Sequence, residues 1–261
     1  MSDSSNNLRL SALVVVHNEE QRLDDCLKRL SFADELVIVL DKCTDGSKVI
    51  AEAYTDRLME GSWELEGDRR NAGIEFCRGD WILEVDADEW VSDELASEIR
   101  SVINDGNGDI FNILVHNYVG GRWVRYGWGG NFGENGCPGL FRKGVKTWGR
   151  ERVHPHLTVT GRQGKNLSQP LTHHIDDNLS SMIRRFDNYT TARAKDLADR
   201  REFGSVPNMV RKSFSRFWKC YVARQGYREN GYGLLIAILA AIYPLVSLLK
   251  ATLEEAETPQ S

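Results

Sequence analysis

The chain has 261 residues, of which 41% are hydrophobic, so it is long and apolar enough for one large α/β domain with a smaller appendage. This composition excludes disordered, collagen-like and disulfide-stapled proteins, and five cysteines without C-x-x-C spacing argue against zinc fingers and thioredoxin-like redox sites. The net charge of -5 is uneven, because residues 1–110 contain 26 acidic and 11 basic side chains whereas the remainder is basic. An acidic first half disfavours nucleic acid as a partner, and the basic remainder suits phosphates or an anionic membrane.

Strands and helices alternate in the first half of the chain. Apolar, β-branched stretches predict buried strands over residues 10–16, 35–40 and 81–85. Helices are predicted near the ranges 23–30, 45–53, 69–77 and 92–103, the last with Ser92 as its N-cap. This alternation predicts a mainly parallel sheet with helices packed on it.

Polar side chains follow the predicted strands where each strand ends. Asn18 and Glu19 follow the first strand, Asp41 the second, and Asp86 and Asp88 the third. Ligands of open parallel sheets bind beyond the carboxyl ends of the strands. We therefore expect these side chains to share one crevice.

The pair Asp86-x-Asp88 predicts a site for a hard divalent cation, Mg²⁺ or Mn²⁺, that also binds phosphate oxygens and neutralises a departing diphosphate. Asp41 is placed to accept a hydrogen bond from a pyrimidine or a ribose, and Arg70 to meet phosphate at the start of a helix. Each has a structural alternative: helix capping for the acidic pair, turn formation for Asp41, and a solvated helix position for Arg70.

The second half of the chain changes character. Short β-like pieces and a glycine- and aromatic-rich loop at 120–136, which contains Trp128 and Phe132, predict an irregular β extension with a mobile lid. From residue 178 onward the sequence predicts two basic helices, 184–201 and 206–227.

The uncharged stretch 234–249, interrupted by Pro244, is shorter than the ~20 residues that a membrane-spanning helix needs. We expect it to lie in the membrane interface beside the basic helix that precedes it. A buried core helix and a homodimer seam, and with it a homo-oligomer, stay open as alternatives. The polar residues 1–7 do not have the pattern of a secretory signal, so a cytoplasmic location is expected.

Four ordered motifs resemble the inverting GT-A glycosyltransferases of family two over about residues 9–105. They are V-V-V-H-N-E-E (14–20), L-V-I-V-L-D-K-C-T-D-G-S (36–47), R-R-N-A-G (69–73) and G-D-W-I-L-E-V-D-A-D-E (79–89). More narrowly, the chain is similar to bacterial enzymes of the β-1,4-glucosyltransferase type that extend the lipopolysaccharide inner core.

The resemblance implies a GT-A fold, Rossmann-like with a mainly parallel sheet, a small β extension and a C-terminal helical segment that associates with the membrane. It divides the chain into a nucleotide-sugar-binding half (1–110), an acceptor-side extension with its loop (111–177) and a basic, apolar tail (178–261). The implied donor is a UDP-sugar, bound with Mg²⁺ or Mn²⁺.

The resemblance also assigns roles to residues. The turn of Val16, Asn18 and Glu19 would line the nucleoside pocket, Asp41 would bind the uracil edge, and Arg70 the base or diphosphate. Asp86 would face ribose and metal, Asp88 would be the direct and catalytically required metal ligand, and His173, favoured over His174, would complete the metal or diphosphate site.

Inversion needs a general base for the attacking hydroxyl. The core-glucosyltransferase group shows Val-His-Glu in mid-chain, whereas this chain has Pro155 where that Glu would stand. The candidates are Glu151, His154 and Glu134, and we favour Glu151.

These features predict an inverting transferase that moves a hexose, glucose from UDP-glucose, onto a lipid-linked saccharide such as the lipopolysaccharide inner core, on the cytoplasmic face of the inner membrane. Two alternatives remain: a soluble or protein acceptor, and a catalytically degenerate membrane-surface scaffold, which Pro155 favours. A nucleotidyltransferase is disfavoured because the segment H-N-E-E after the first strand contains no glycine.

Overall fold

The structure is a computed structural model that describes residues 9–127, 136–152, 155–201 and 204–254. The described residues form two compact units. The first comprises 9–115, 136–151 and 155–173, and the second comprises 116–127, 152, 174–201 and 204–254.

A six-stranded sheet is the framework of the first unit. Its strands are β1 (Leu10–Val16), β2 (Glu35–Asp41), β3 (Leu58–Gly61), β4 (Trp81–Asp86), β6 (Ile110–Ile113) and β9 (Cys137–Arg142), with β5 (Glu89–Trp90) placed between β4 and β6 in the chain but outside this sheet. The spatial order is β3-β2-β1-β4-β9-β6. The first four strands in this order are parallel, and β9 runs antiparallel to both of its neighbours.

Both faces of this sheet are buried, as the apolar strands predict. Along β1, Leu10, Ala12, Val14 and Val16 face one apolar cluster, while Leu13 and Val15 face the other. Four helices belong to this unit: α1 (Leu23–Lys28), α2 (Ser47–Glu52), α3 (Glu66–Phe76) and α4 (Asp93–Asp105). The Ser92 side chain accepts a hydrogen bond from the Leu95 N–H, which confirms the predicted N-cap of α4.

Shorter strands complete the β structure. They are β7 (Val115–Val119), β8 (Arg122–Trp123), β10 (Lys146–Trp148), β11 (Leu157–Val159) and β12 (Leu171–Asp176). In the first unit β10 and β11 form a hairpin, and β12 pairs antiparallel with β5. Strand β12 ends in the second unit, where its neighbour is β7, which in turn pairs with β8.

The second unit is otherwise helical. It contains α5 (Leu179–Arg200), α6 (Val206–Phe217) with a π-helical continuation at Trp218–Ala223, a short 3₁₀ turn at Gly226–Glu229, and α7 (Asn230–Leu249) with a π-helical continuation at Lys250–Glu254. Its apolar core is built from both strands and helices: Val119, Val124, Met182, Cys220, Ile236 and Ala237.

The structure differs from the sequence prediction in four places. Strand β3 was not predicted, because a short edge strand has little local β signal. Strands β6 and β9 were predicted as β-like pieces of a separate extension but lie inside the main sheet, because the pairing of a strand is not encoded in its local pattern. Helix α3 begins at Glu66 rather than at residue 69, so Arg70 lies within the helix rather than at its start. The second basic helix loses its α-helical form after Phe217 rather than at residue 227. Trp128, Phe132 and Glu134 of the expected lid lie outside the described residues.

Candidate functional site

The predicted crevice lies at the carboxyl ends of β1, β2 and β4. Val16 pairs with Leu40 of β2, and Val15 pairs with Asp86 of β4. Asp41 and Asp86 therefore flank the end of β1, at a backbone separation of about two strand spacings, or ~10 Å. This is the edge at which open parallel sheets bind ligands.

Two consecutive arginines of α3 hold these two carboxylates. Arg69 Nη1 lies 3.1 Å from Asp41 Oδ2, and Arg70 Nη2 lies 2.8 Å from Asp86 Oδ1. The second oxygen of Asp41 accepts a hydrogen bond from the Trp63 N–H at 3.0 Å. The α3 helix thus ties the ends of two different strands to one place.

The Arg70 guanidinium is buried, and all three of its nitrogens contact carboxylates. Besides Asp86, it donates from Nε to Glu66 and from Nη1 to Glu84, at 2.9 and 2.8 Å. Burial alone would lower the pKa of Arg70, but Asp86, Glu84 and Glu66 raise it well above its usual range. Arg70 therefore orients Asp86, and its predicted contact with a base or diphosphate stays a prediction.

Glu84 is a site residue that the sequence analysis did not identify. It accepts hydrogen bonds from Lys146 Nζ at 2.7 Å, Arg70 at 2.8 Å and Trp148 Nε1 at 3.2 Å. Burial alone would raise the pKa of Glu84, but Lys146 and Arg70 lower it to about 2. The available sequence signal was an acidic residue in the interior of the strand W-I-L-E-V-D, two positions before the terminal Asp86.

Asp88 and His173 form an ion pair beside this cluster. Pairing of His173 with Glu89 across β12 and β5 brings the imidazole to Asp88, with Nε2 and Oδ2 3.2 Å apart. Burial would lower the pKa of His173, but the hydrogen bond and charge of Asp88 raise it to about 9. Burial would raise the pKa of Asp88, but His173 and then Arg22, 3.5 Å away, lower it.

Two further carboxyls at this edge are harder to ionise than usual. Burial raises the pKa of Glu19 and that of Glu89 to about 7, and the charges of Asp88 and Asp86 contribute to both shifts. Burial also raises the pKa of Asp86, with Arg70 opposing the shift. So many acidic groups in one crevice form a site that a cation stabilises.

The first predicted turn is only partly in place to line a pocket. The Val16 side chain is buried in the core, so only its backbone is available at the crevice. Asn18 has a positive φ of 58°, and its Oδ1 accepts a hydrogen bond from the Thr44 N–H at 2.8 Å. The Glu19 N–H donates to Ser47 Oγ at 2.9 Å, so this turn is joined to the start of α2.

The donor atoms suit a hard divalent cation, although the ligands are not yet assembled. Within the described ranges, no group of three or more His, Cys, Asp and Glu side chains is arranged to hold a metal ion. Asp88 binds protonated His173 instead, and Asp86 binds Arg70. Two carboxylates and an imidazole are nevertheless acceptable Mg²⁺ or Mn²⁺ ligands, because a cation can replace the proton that His173 carries.

The predicted base region is described in part. Glu151 follows the β10 strand, and its Oε2 accepts a hydrogen bond from the His156 N–H at 3.0 Å. The same loop packs on the first turn of α3, because a Cβ on Gly67 would stand 1.8 Å from the Gly149 carbonyl oxygen. His154 lies outside the described residues.

Comparisons with known proteins find a matching family and several similar relatives. The sequence profile of Glycosyl transferase family 2 matches residues 11–186. An uncharacterized glycosyltransferase of Rickettsia bellii (strain RML369-C) is 30% identical, over 93% of this chain and 85% of its own length. Lipopolysaccharide core biosynthesis glycosyltransferase LpsC of Rhizobium meliloti (strain 1021) is 25% identical, over 93% and 92%. The structure of S. aureus TarS 1-349 with UDP-GlcNAc is similar at a TM-score of 0.49 and 17% identity, over 95% of this chain and 82% of that one.

Proposed function

Because the chain belongs to glycosyl transferase family 2 and is a glycosyltransferase of that type, we propose that it moves a hexose from a UDP-sugar, UDP-glucose first, onto a lipid-linked saccharide. The predicted family is confirmed, and so is the GT-A fold with its mainly parallel sheet and C-terminal apolar helix. The lipid-linked acceptor is proposed because LpsC, a relative over nearly the whole chain, is named for lipopolysaccharide core biosynthesis.

One observation carries the donor proposal: Arg69 and Arg70 hold Asp41 and Asp86 on either side of the end of β1. In the proposed complex Asp41 binds the uracil edge and Asp86 the ribose. Asn18, Glu19 and the Val16 backbone line the nucleoside pocket. Arg70 acts by fixing the position of Asp86.

Asp86, Asp88 and His173 are the proposed ligands of Mg²⁺ or Mn²⁺. The bound cation would supply charge neutralisation for the departing diphosphate. Before it binds, Arg22 and protonated His173 balance the Asp88 carboxylate. Binding therefore releases a proton from His173, and cation affinity rises with pH while that proton is being lost.

Glu151 is the proposed base that takes the proton of the attacking hydroxyl. Its carboxylate is held by the His156 N–H in a loop that packs against α3, the helix that orients Asp86. Glu151→Gln keeps the shape and one oxygen acceptor but cannot take a proton. We expect it to bind UDP like the parent and to lose transfer by about 100-fold or more, within the range for general base catalysis. Unchanged transfer would exclude Glu151, with His154 the next candidate.

The donor proposal is tested with Asp88→Asn, which keeps the shape but removes the charge. UDP binding with and without Mn²⁺ is measured by calorimetry, and UDP-glucose hydrolysis is measured alongside. We expect the Mn²⁺-dependent part of binding to fall by at least about 100-fold, since even changes behind the direct ligands cost roughly 10–100-fold. Asp105→Asn, at the exposed end of α4, is the matched control. If the two variants behave alike, Asp88 is not a metal ligand.

A cationic and apolar surface on the second unit supports the membrane proposal. Exposed apolar side chains recur every four residues along α6 and its continuation: Val206, Val210, Phe214, Trp218 and Val222. Residues 206–224 contain five basic and no acidic side chains. Such a helix binds an anionic interface through both apolar burial and charge, with roughly 1 kcal/mol per basic residue near the surface.

The helix α7 adds to this surface. The helical stretch Gly226–Leu253 is long and apolar enough to cross a membrane. Its most apolar 18 residues have a mean hydropathy of 2.2, and a third of them are buried. Buried core helices meet the same criterion, and Ile236 and Ala237 do lie in the core of this unit. We propose that α7 lies in the membrane interface and that the protein is peripheral on the cytoplasmic face of the inner membrane.

Flotation with vesicles tests this proposal. The double variant Phe214→Ser/Trp218→Ser should bind phosphatidylglycerol vesicles more than tenfold less tightly, since each exposed ring contributes roughly 1.5–3 kcal/mol when buried. Val49→Ser, equally exposed on the first unit, is the control. Equal binding of the parent to neutral and anionic vesicles would contradict the proposed membrane-binding surface. Equal binding of the double variant and the Val49→Ser control would contradict it as well. A change of sedimentation without a change of flotation would instead indicate the homodimer seam.

A further inference from the structure

Trp63 lies in the loop between β3 and α3, next to the carboxylate that is proposed to bind the nucleobase. Its backbone N–H donates to Asp41 Oδ1 at 3.0 Å, and its carbonyl oxygen accepts a hydrogen bond from Lys42 Nζ. The Lys42 N–H in turn donates to the Gly61 carbonyl oxygen at 3.0 Å. These three bonds fix the start of the loop to the end of β2.

The Trp63 side chain fills the space that a side chain on Gly61 would need. A Cβ on Gly61 would stand 2.6 Å from Cζ3 and 2.8 Å from Cζ2 of the indole, closer than Cβ atoms approach other groups. The half-buried indole also packs on the apolar cluster that contains Val37 and Val39 of β2. The ring therefore lies this close to the strand because residue 61 is a glycine.

The register of β2 and β3 places the indole beside the Asp41 carboxylate. Asp41 and Gly61 are partners in parallel strands, so their Cβ directions lie on the same face of the sheet. Val39 of β2 and Met59 of β3 lie on that face as well, since both pack in the cluster that Trp63 joins. The indole thus flanks Asp41 on the β3 side, at about one strand spacing, or ~4.8 Å.

The strand order places the proposed ribose ligand, the proposed base ligand and the indole in sequence along one edge of the sheet. In the order β3-β2-β1-β4, Asp86 ends β4, Asp41 ends β2, and the indole lies on the β3 side of Asp41. A nucleoside whose ribose is at Asp86 and whose base reaches Asp41 therefore points its base at Trp63.

Asp41 by itself does not separate uracil from guanine. A carboxylate is only a hydrogen-bond acceptor, and both bases offer it a ring N–H on the edge far from the ribose. The bases differ in length, because the second ring of a purine moves that edge farther from the ribose. A fixed ring beyond Asp41 blocks the longer base, which is how a steric barrier produces specificity.

We propose that the Trp63 indole closes the far end of the nucleobase pocket and selects a pyrimidine over a purine. The proposal rests on the donor site proposed above and deepens it, because it names the residue that sets base specificity. Gly61 is the positioning residue for this ring, since its missing side chain leaves the space that the indole occupies.

Calorimetry of UDP and GDP binding, both with Mn²⁺, tests the proposal on the full chain. We expect the parent to prefer UDP by at least about tenfold. Trp63→Ala should weaken UDP binding by about tenfold, the order of one base–aromatic contact, and should leave GDP binding unchanged or tighter. Trp63→Leu keeps apolar packing on Gly61 but is shorter than the indole, so it should also lose the preference for UDP. It decides the question if the alanine variant does not fold.

Phe76→Ala is the matched control. Phe76 is half-buried against the same apolar cluster, but it ends α3 and so lies far from Asp41. This variant should keep the parent's affinities for both nucleotides. An equal loss of UDP binding in Phe76→Ala would overturn the proposal, because the effect would then come from lost packing.

The remaining outcomes separate this proposal from the donor site on which it rests. A parent that binds UDP, with the same preference over GDP in the Trp63 variants, would overturn the role of Trp63 and leave the donor site in place. A parent that binds UDP and GDP equally would do the same. A parent that binds neither nucleotide would overturn the donor site and this proposal with it.

Discussion

The buried pair of Glu84 and Lys146 offers the sharpest test of how the site is held together. Their side chains are 4% and 3% exposed, and the carboxylate and ammonium groups lie 2.7 Å apart. Glu84→Gln removes the charge but keeps the size. Arg70 would still have Glu66 and Asp86, whereas Lys146 Nζ would keep only the Pro138 carbonyl at 2.9 Å and the faces of two rings.

The expected loss of stability follows from the loss of the only carboxylate named as a partner of Lys146, whereas Arg70 keeps two carboxylates. Removing one partner of a buried pair costs about 3–5 kcal/mol, because the remaining charge is left without compensation. We therefore expect Glu84→Gln to lower the free energy of unfolding by about 3 kcal/mol, the lower end, since the amide oxygen can still accept one hydrogen bond. Urea unfolding followed by circular dichroism measures the change. Glu60→Gln, which breaks an exposed pair with Lys48, should cost less than about 1 kcal/mol.

A double-mutant cycle tests the reasoning rather than the size of the effect. If the penalty comes from an uncompensated ammonium, Lys146→Met should remove most of it in the Glu84→Gln background. The two single costs would then exceed the cost of the double variant by about 1–3 kcal/mol. Additive costs would refute the account, and so would a Glu84→Gln protein as stable as Glu60→Gln.

Three smaller predictions concern stability. Ser92→Ala removes the N-cap of α4 and should lower the free energy of unfolding by about 1 kcal/mol in urea unfolding. Gly67→Ala should lower the melting temperature because its Cβ would meet the Gly149 carbonyl oxygen, whereas Gly231→Ala, with open space around it, should be neutral or stabilising. Burial would raise the pKa of Glu35, but Ser11, Arg78 and Arg57 hold it below 4.5. The difference in free energy of unfolding between the parent and Glu35→Gln should therefore be largest above pH 4.5 and should shrink as the pH falls below that value.

The sequence predicted the donor half of the site because its signals are local. Strands β1, β2 and β4 are apolar on both faces, and the acidic residues follow directly where these strands end. In a parallel sheet the carboxyl ends of neighbouring strands lie at the same edge, so Asp41 and Asp86 are predicted to lie close together whatever the conformation of the loops. His173 was found by resemblance, and its pairing with β5 explains why it reaches Asp88.

The rest depends on partners that are distant in the chain. The role of Glu84 depends on its hydrogen bond with Lys146. The role of Glu229 depends on its hydrogen bonds with Arg122 and Arg125, which stand more than 100 positions earlier in the chain. Strand β9 contains a proline and a glycine, yet it pairs with β4 through Leu140 and Leu83. No local pattern encodes such pairings, because they arise from register and burial after the chain has collapsed.

The motif R-R-N-A-G is a local sequence signal whose residues contact partners that are distant in the chain. Successive side chains of a helix point about 100° apart, so Arg69, Arg70 and Asn71 cannot share a target. Arg69 binds Asp41 of β2, Arg70 binds Asp86 of β4, and Asn71 accepts from and donates to the backbone of Trp148 in β10. Gly73 permits this because a Cβ there would lie 2.7 Å from Leu13 Cδ1, too close for the helix to stay on the sheet. The motif therefore specifies the distance of α3 from the sheet as well as the residues that it orients, and the spacing of the donor carboxylates depends on both.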